Sequence, residues 1–298
     1  MIETTAAIRI QGLSKDYGAG RGLFDLDLEV AAGEVFGYLG PNGAGKSTTI
    51  RLLMALIRPT GGRAEIFGLD CQAQDVEVKR KVGYVPGELP AFGGLRGREI
   101  IAYLAAMGGG VDEGCVKRLA DRLQLDLSQR FREYSSGNKQ KLLNVLALMH
   151  RPELLILDEP TTGLDPLNQQ EFYALVREAR AAGATVFLSS HILSEVEHIC
   201  DRVGIIRAGR LIKVASLEEL HRIRTHRVEI EFAGEPPLAR IRDAAGVEDV
   251  VAEGRRVHCV LRGSFEGLMA ALEGARVLNL TSHEPTLEET FLEYYAAC

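Results

Sequence analysis

The chain has 298 residues, enough for one substantial domain and a smaller second one around genuine cores. Its 35 Lys and Arg against 41 Asp and Glu leave a net charge of −6 with no basic block, which argues against non-specific nucleic-acid binding as the main activity. Five widely spaced cysteines (Cys71, Cys115, Cys200, Cys259, Cys298) form no CxxC pair and read as buried or free thiols of a reducing compartment. The opening MIETTAAIRIQGL has no basic segment followed by an apolar one, and no run approaches ~18 consecutive apolar residues. The expectation is a soluble cytoplasmic protein, so any membrane role has to come through a partner chain.

Glu34-Val35-Phe36-Gly37-Tyr38-Leu39 reads as a short buried strand, and Ser47 to Ile57 carries apolar residues at helical spacing up to the stop at Pro59 and Gly61-Gly62. Between them stand Gly40, Pro41, Asn42, Gly43, Ala44, Gly45, Lys46, Ser47 and Thr48, a complete phosphate-binding loop in the strand–turn–helix context that gives the motif meaning. Glycines let the backbone wrap an anion with its amide hydrogens pointing inward, and the helix adds its positive end. Lys46 is the candidate for reaching the β- and γ-phosphates, and the Ser47 hydroxyl for a Mg²⁺ ligand. These residues predict a site for a nucleoside triphosphate.

Downstream, Leu154-Leu155-Ile156-Leu157 followed by Asp158-Glu159-Pro160 reads as a strand buried on both faces. Asp158 then emerges at its carboxyl end, where ligands of open α/β sheets bind, and can hold Mg²⁺ through water. Glu159 is placed to accept a proton from the water that attacks the γ-phosphate. Asp165 with Pro166 predicts an N-cap and first helical position, opening a helix through about Ala182 that Gly183 stops. Thr185 to Ser190 is a further buried strand, with His191 at its carboxyl end as a hydrogen-bond donor to the terminal phosphate.

After a hairpin-like stretch from Asp201 to Val214 the character changes. Ser216 to Glu219 is a capping box opening a short helix; Val228 to Phe232, Val247 to Val251 and Val257 to Leu261 alternate as strands. Phe265 to Leu272 reads as a helix, Val277 to Leu280 as a strand, and Thr286 with Glu289 opens a last helix. The order predicts a small α+β domain of ferredoxin-like type. His258 and Cys259 are adjacent, but no other ligand types cluster with them, so strand packing is preferred over a metal site.

Together these pieces resemble the nucleotide-binding subunit of ABC transporters. GPNGAGKST resembles Walker A, LLILDEP Walker B with its following glutamate, Gly163 to Asp165 the D-loop, and His191 the switch histidine. Tyr17 resembles the aromatic that stacks on adenine. Tyr134 to Gln140, YSSGNKQ, resembles the signature segment LSGGQ and opens an apolar helix through Met149, with Ser136 in place of a glycine and Asn138 in place of glutamine. After Val82-Gly83-Tyr84-Val85-Pro86, where the family has glutamine, this chain has Gly87 and then Glu88. The terminal PTLEETF is similar to that of ABC-2 type exporter ATPases for drug efflux and natural-product self-resistance.

The resemblance implies an α/β P-loop ABC ATPase domain over residues 1–215, with a mixed sheet, plus a small C-terminal α+β domain over 216–298. A helical subdomain would run from Glu88 to Arg132 and, with the signature helix, to about residue 150. It implies ATP and Mg²⁺, a separate transmembrane permease, and a second copy of the ATPase whose Ser135 and Gly137 would cap the nucleotide. The chain would then be peripheral at the inner face of the cell membrane. Two rivals are a soluble ABC ATPase acting on nucleic acid or ribosomes, and a low-turnover nucleotide switch. The first is disfavoured by a single cassette and an acidic charge; the second by the presence of both Asp158 and Glu159.

Overall fold

The computed structural model describes residues 6–222 and 225–283. The chain divides into two compact units, Met1–Ala215 and Ser216–Cys298.

In the first unit the elements run β1 (Ala6–Asp16), β2 (Gly22–Ala31), β3 (Val35–Leu39), α1 (Lys46–Leu53), β4 (Gly61–Ile66), β5 (Leu69–Asp70), α2 (Asp75–Lys81) and β6 (Val82–Val85). They continue with α3 (Gly97–Met107), α4 (Glu113–Arg122), α5 (Ser136–Leu148), β7 (Leu154–Asp158), α6 (Pro166–Ala181), β8 (Thr185–Ser190), α7 (Leu193–Ile199), β9 (Arg202–Arg207) and β10 (Arg210–Ser216).

Every residue of β3, β7 and β8 is buried, as strands covered on both faces must be. They form the centre of a six-stranded sheet in the order β10-β9-β3-β8-β7-β6, with β9, β3, β8, β7 and β6 parallel. A second, antiparallel sheet has the order β2-β1-β4-β5. In β2 the buried Leu23, Leu26, Leu28 and Val30 are interleaved with the exposed Asp25, Asp27 and Glu29, the period-2 pattern of a sheet with one wet face. Ile8, Leu13, Leu26, Phe36, Tyr38, Ile50, Leu53 and Phe187 share one core, so the two sheets and α1 are a single packed body. At about 1.5–3 kcal/mol for each large aliphatic or aromatic side chain buried, this core is the main stabilising term.

Helix α1 is shorter than the apolar spacing predicts. It ends at Leu53 because Ala55 turns left-handed (φ 52°), and the N–H groups of Ala55 and Leu56 donate to Leu52 and Arg51 carbonyls at 3.1 and 2.8 Å. That is a Schellman closure made by an alanine where glycine is the usual signal. Helix α6 keeps its predicted ends: Asp165 accepts a hydrogen bond from the Asn168 N–H at 3.0 Å, Pro166 is the first helical residue, and Gly183 closes it at φ 100°. The backbone and side chain of Asn168 hold the Asp165 carboxyl below its ordinary range. Helices α3, α4 and α5 lie between β6 and β7 in the chain, and Gly108 to Gly110 fall in the α3–α4 loop.

Strand β3 also carries the close approach that seats α7. A Cβ on Gly37, in the middle of that strand, would lie 2.6 Å from a Val196 methyl and 3.0 Å from the Cys200 sulfur, so glycine lets the helix rest directly on the sheet.

The second unit begins with Ser216, whose hydroxyl accepts from the Glu219 N–H while the Glu219 carboxylate accepts from the Ser216 N–H, the capping box of α8 (Leu217–Arg222). Then come β11 (Thr225–Phe232), α9 (Leu238–Arg242), β12 (Val247–Glu253), β13 (Arg256–Arg262), α10 (Glu266–Ala271) and β14 (Val277–His283). This βαββαβ order forms an antiparallel sheet in the order β12-β13-β11-β14, the ferredoxin-like arrangement. Helix α9 is not foreshadowed by any sequence pattern, because only five residues form it after Pro236-Pro237. Cys259 points into the core and His258, its neighbour on the strand, to the opposite face. The helix expected from Thr286 lies outside the described residues.

Cys71, Cys115, Cys200 and Cys259 are free and buried, and burial pushes the Cys71 thiol up to about 12 and that of Cys200 higher still. At most one of the five cysteines should therefore react quickly with a disulfide reagent at pH 8 in the native chain, and all five in guanidinium. Two or more fast native thiols would contradict this packing.

Candidate functional site

Four loops leave neighbouring parallel strands at one edge of the central sheet: the P-loop after β3, Glu159 after β7, His191 after β8 and Gly87 after β6. A cleft of about 500 Å³ opens there, lined by Tyr17, Gly20, Arg21, Gly22, Pro41 to Thr48, Gly87, Glu159 and Ala208.

The P-loop is built by close packing. A Cβ on Gly40 would lie 2.3 Å from the Ile206 carbonyl oxygen of β9, and Gly45 adopts φ 115° where the chain turns into α1. Gly43, at φ 80°, has nothing within 4 Å of its Cβ position, leaving room for a ligand against the backbone. Lys46 is 6% exposed; its ammonium donates to the Gly40 and Pro41 carbonyls at 2.6 and 3.3 Å and lies 3.2 Å from Glu159 Oε1. At the foot of the loop, the Thr49 hydroxyl donates to the Gly45 carbonyl at 3.1 Å and meets the Tyr38 hydroxyl at 3.2 Å.

Asp158 is buried at the end of β7, where Oδ1 accepts from the Ser189 hydroxyl at 2.5 Å. Glu159 holds a left-handed backbone (φ 51°) that costs a non-glycine residue about 1–3 kcal/mol and needs its surroundings to hold it. Its N–H donates to the Ser189 carbonyl at 3.2 Å, and its own carbonyl accepts from Thr162 at 3.2 Å. The second carboxylate oxygen, Oε2, lies 2.8 Å from His191 Nδ1. Glu159 thus sits between an ammonium and an imidazole, a contact between residues 32 apart that no local pattern announces.

Tyr17 is half-exposed at the rim, with Lys15 Nζ 5.5 Å from its ring centroid and its N–H on the Arg21 carbonyl at 2.9 Å. Arg21, Gly20, Gly22 and Ala208 line the cleft without any sequence motif marking them. Ser135 and Gly137 do not line it. Ser135 caps α5 by accepting from the Asn138 N–H at 3.2 Å, and a Cβ on Gly137 would lie 2.5 Å from the Gly163 carbonyl. Within one chain the signature segment thus faces its own Gly163 turn, away from the P-loop cleft.

The oxygen donors suit the two groups the loop implies. Ser47 and Asp158 offer a hydroxyl and a carboxylate, the donor types a hard divalent cation takes, and the cradle beside Gly43 takes an anion. At Gly87, where the family has glutamine, a side chain would be crowded. A Cβ there would meet Asp158 Oδ2 at 2.6 Å, and that carboxylate is anchored by Ser189. Glu88 turns away to pair with Arg51 of α1 at 2.7 Å.

Substituting the family's glutamine, Gly87→Gln, should therefore push on Asp158 and lower nucleotide hydrolysis about tenfold rather than raise it. Steady-state phosphate release measures this; a rate at or above that of the unsubstituted chain would show that the Asp158 contact imposes no constraint.

Residues 23–162 match the ABC transporter family. Over 296 residues, 96% of both chains, the sequence is 33% identical to the bacitracin transport ATP-binding protein BcrA of Bacillus licheniformis. Over 308 aligned positions, 96% of this chain and 95% of the other, it is 33% identical to the daunorubicin resistance ATP-binding protein DrrA3 of Streptomyces coeruleorubidus. A solved ATP-binding subunit of an ABC transporter superposes with a TM-score of 0.66 at 34% identity, covering 72% of this chain and 92% of that one. With the P-loop, the Asp158-Glu159 strand end and His191 on one sheet edge, the chain belongs to the ABC transporter family as an ATP-binding subunit.

Proposed function

We infer that this chain hydrolyses ATP to power an exporter whose membrane path lies in a separate permease subunit. The observation that carries the hydrolytic part is the Glu159 carboxylate, held between Lys46 and His191 at the carboxyl edge of the sheet. The transport part rests on relatives named for bacitracin transport and daunorubicin resistance that align along 96% of the chain. Among the described residues no helix is long and apolar enough to cross a membrane, which suits an ATPase docked at the inner membrane face through its partner.

Each side chain then has a task. Backbone amides of Asn42, Gly43 and Gly45 to Thr48 bind the phosphates, and Lys46 neutralises the β- and γ-oxygens. Ser47 and Asp158 hold Mg²⁺, which offsets phosphate charge. Glu159 takes the proton of the attacking water, and His191, already against Glu159, donates to the γ-phosphate. Tyr17 offers its exposed ring to the adenine.

The site is completed by a second copy of the chain. Ser135 and Gly137, at the positive N-terminal end of α5, lie outside the cleft of their own chain and would cap the γ-phosphate of the other. We assign residues 1–215 to the ATPase domain and about 88–150 to its helical subdomain, where the permease docks. Residues 216–298 form the accessory domain. Nucleic acid is no part of this scheme.

Lys46→Ala should abolish ATP binding or hydrolysis; unchanged turnover would refute the P-loop assignment. Glu159→Gln should bind ATP, hydrolyse it at least ~100-fold more slowly, and accumulate as dimer in size-exclusion chromatography with ATP. A monomer at saturating ATP would count against the paired arrangement. Captured with ATP from detergent-solubilised native membranes, the same variant should bring down a polytopic membrane protein; ribosomes or nucleic acid instead would overturn the transport reading.

A further inference from the structure

Glu195, on α7, is a buried carboxylate (5% exposed) that none of these steps uses. Its Oε1 accepts from the Thr161 hydroxyl, and its Oε2 accepts from the Ser190 hydroxyl at 2.7 Å. Ser190 Oγ in turn accepts from the Ile192 N–H at 2.9 Å. One carboxylate thus holds two loops, one oxygen for each.

Those loops carry the reacting side chains. Thr161 lies two residues beyond Glu159, and Ser190 immediately precedes His191. Between the same two loops, Glu159 Oε2 and His191 Nδ1 are 2.8 Å apart. The helix that bears Glu195 is itself seated on β3, with Val196 and Cys200 against Gly37, and β3 runs straight into the P-loop. A rigid path therefore joins the phosphate-binding strand, through α7, to both loops.

Burial of a carboxylate with only hydroxyl donors is a poor way to gain stability, because an apolar side chain of similar volume would avoid the desolvation cost. Among the described residues no cation pairs with Glu195. Its geometry is that of a spacer between two loops.

We propose that Glu195 is a positioning residue for ATP hydrolysis, setting the separation of Glu159 and His191 by bridging Thr161 and Ser190. This rests on the reading of Glu159 as the base.

The test uses the full chain with Glu195→Gln, Thr161→Val and Ser190→Ala, the last two deleting one hydroxyl each with little change of shape. Glu195→Gln and Thr161→Val should each lower kcat about tenfold, the usual effect of losing a hydrogen bond to a charged group, with the KM for ATP within about twofold. Their combination should lose no more than about twofold beyond Glu195→Gln alone, since both remove one contact. In the Glu159→Gln background, where no base is left to position, Glu195→Gln should leave the residual rate unchanged. Should Glu195→Gln fail to fold, by circular dichroism, Thr161→Val and Ser190→Ala decide the matter by the same criteria.

Rates within twofold of the unsubstituted chain, or a change confined to KM, would overturn the proposal while an inactive Lys46→Ala left the site reading intact. If Lys46→Ala turned over normally, the site reading itself would fall. An undiminished effect of Glu195→Gln in the Glu159→Gln background would reduce Glu195 to a structural group.

Discussion

The ammonium of Lys46 is almost wholly out of water, held by the Gly40 and Pro41 carbonyls and by the Glu159 carboxylate. Burying a charge of this size costs several kcal/mol, and only well-placed partners offset it. Two of the partners are backbone oxygens of the P-loop, whose path exists because Gly40 can press on the Ile206 carbonyl of the next strand. The third is a side chain from a distant loop, in a backbone conformation that the neighbouring strand enforces through Ser189. A lysine has three N–H donors, and two are spoken for by carbonyls. A phosphate oxygen in the cradle would take the third, and its charge would compete with the Glu159 carboxylate, 3.2 Å away, for the ammonium.

Much of this edge could be read from sequence because its signals are local. The four aliphatics before Asp158, the Asp165-Pro166 helix start and the Gly183 stop each express one physical rule within a few residues. Where the same closure is made by Ala55 or Gln124, both left-handed without being glycine, the composition carries no warning. Strand β1 is hidden for a related reason. Register shifts between Ile10 and Leu13 and between Leu13 and Lys15 interrupt the alternation that would reveal it. Sequence placed Glu159 and His191 near one phosphate but not their direct contact, and it gave no sign of Thr161 to Glu195: these pairs join residues 32 and 34 apart, across crossovers that only the folded sheet brings together.

Two of the three departures from the family pattern, Gly87 and Ser136, have different physical meanings. Gly87 is a tight fit, because the space a side chain needs there is occupied by the Asp158 carboxylate. The loop after β6 accordingly runs close to Asp158, and Glu88 pairs with Arg51 on the P-loop helix. Ser136, by contrast, is exposed at the first position of α5 beside the capping Ser135, and its hydroxyl lies beside the Gly163 turn, 3.4 Å from where a Gly163 Cβ would stand.

The segment at Ser135 to Gln140 packs closely on the Gly163 turn. Gly137 can carry no side chain because of the Gly163 carbonyl, and Asn144, buried further along α5, donates to the Pro160 carbonyl at 3.1 Å. Gly163 and Pro160 flank Thr161, in the turn that begins at Glu159. Helix α5 therefore meets at two points the turn that carries Glu159, and through Thr161 that turn reaches Glu195 and α7. If α5 caps a nucleotide held by a second copy, the strain of that closure arrives at Glu159 of the chain that supplies the cap. Two sites linked in this way would then be coupled, since α5 and the Glu159 turn are parts of one packed body.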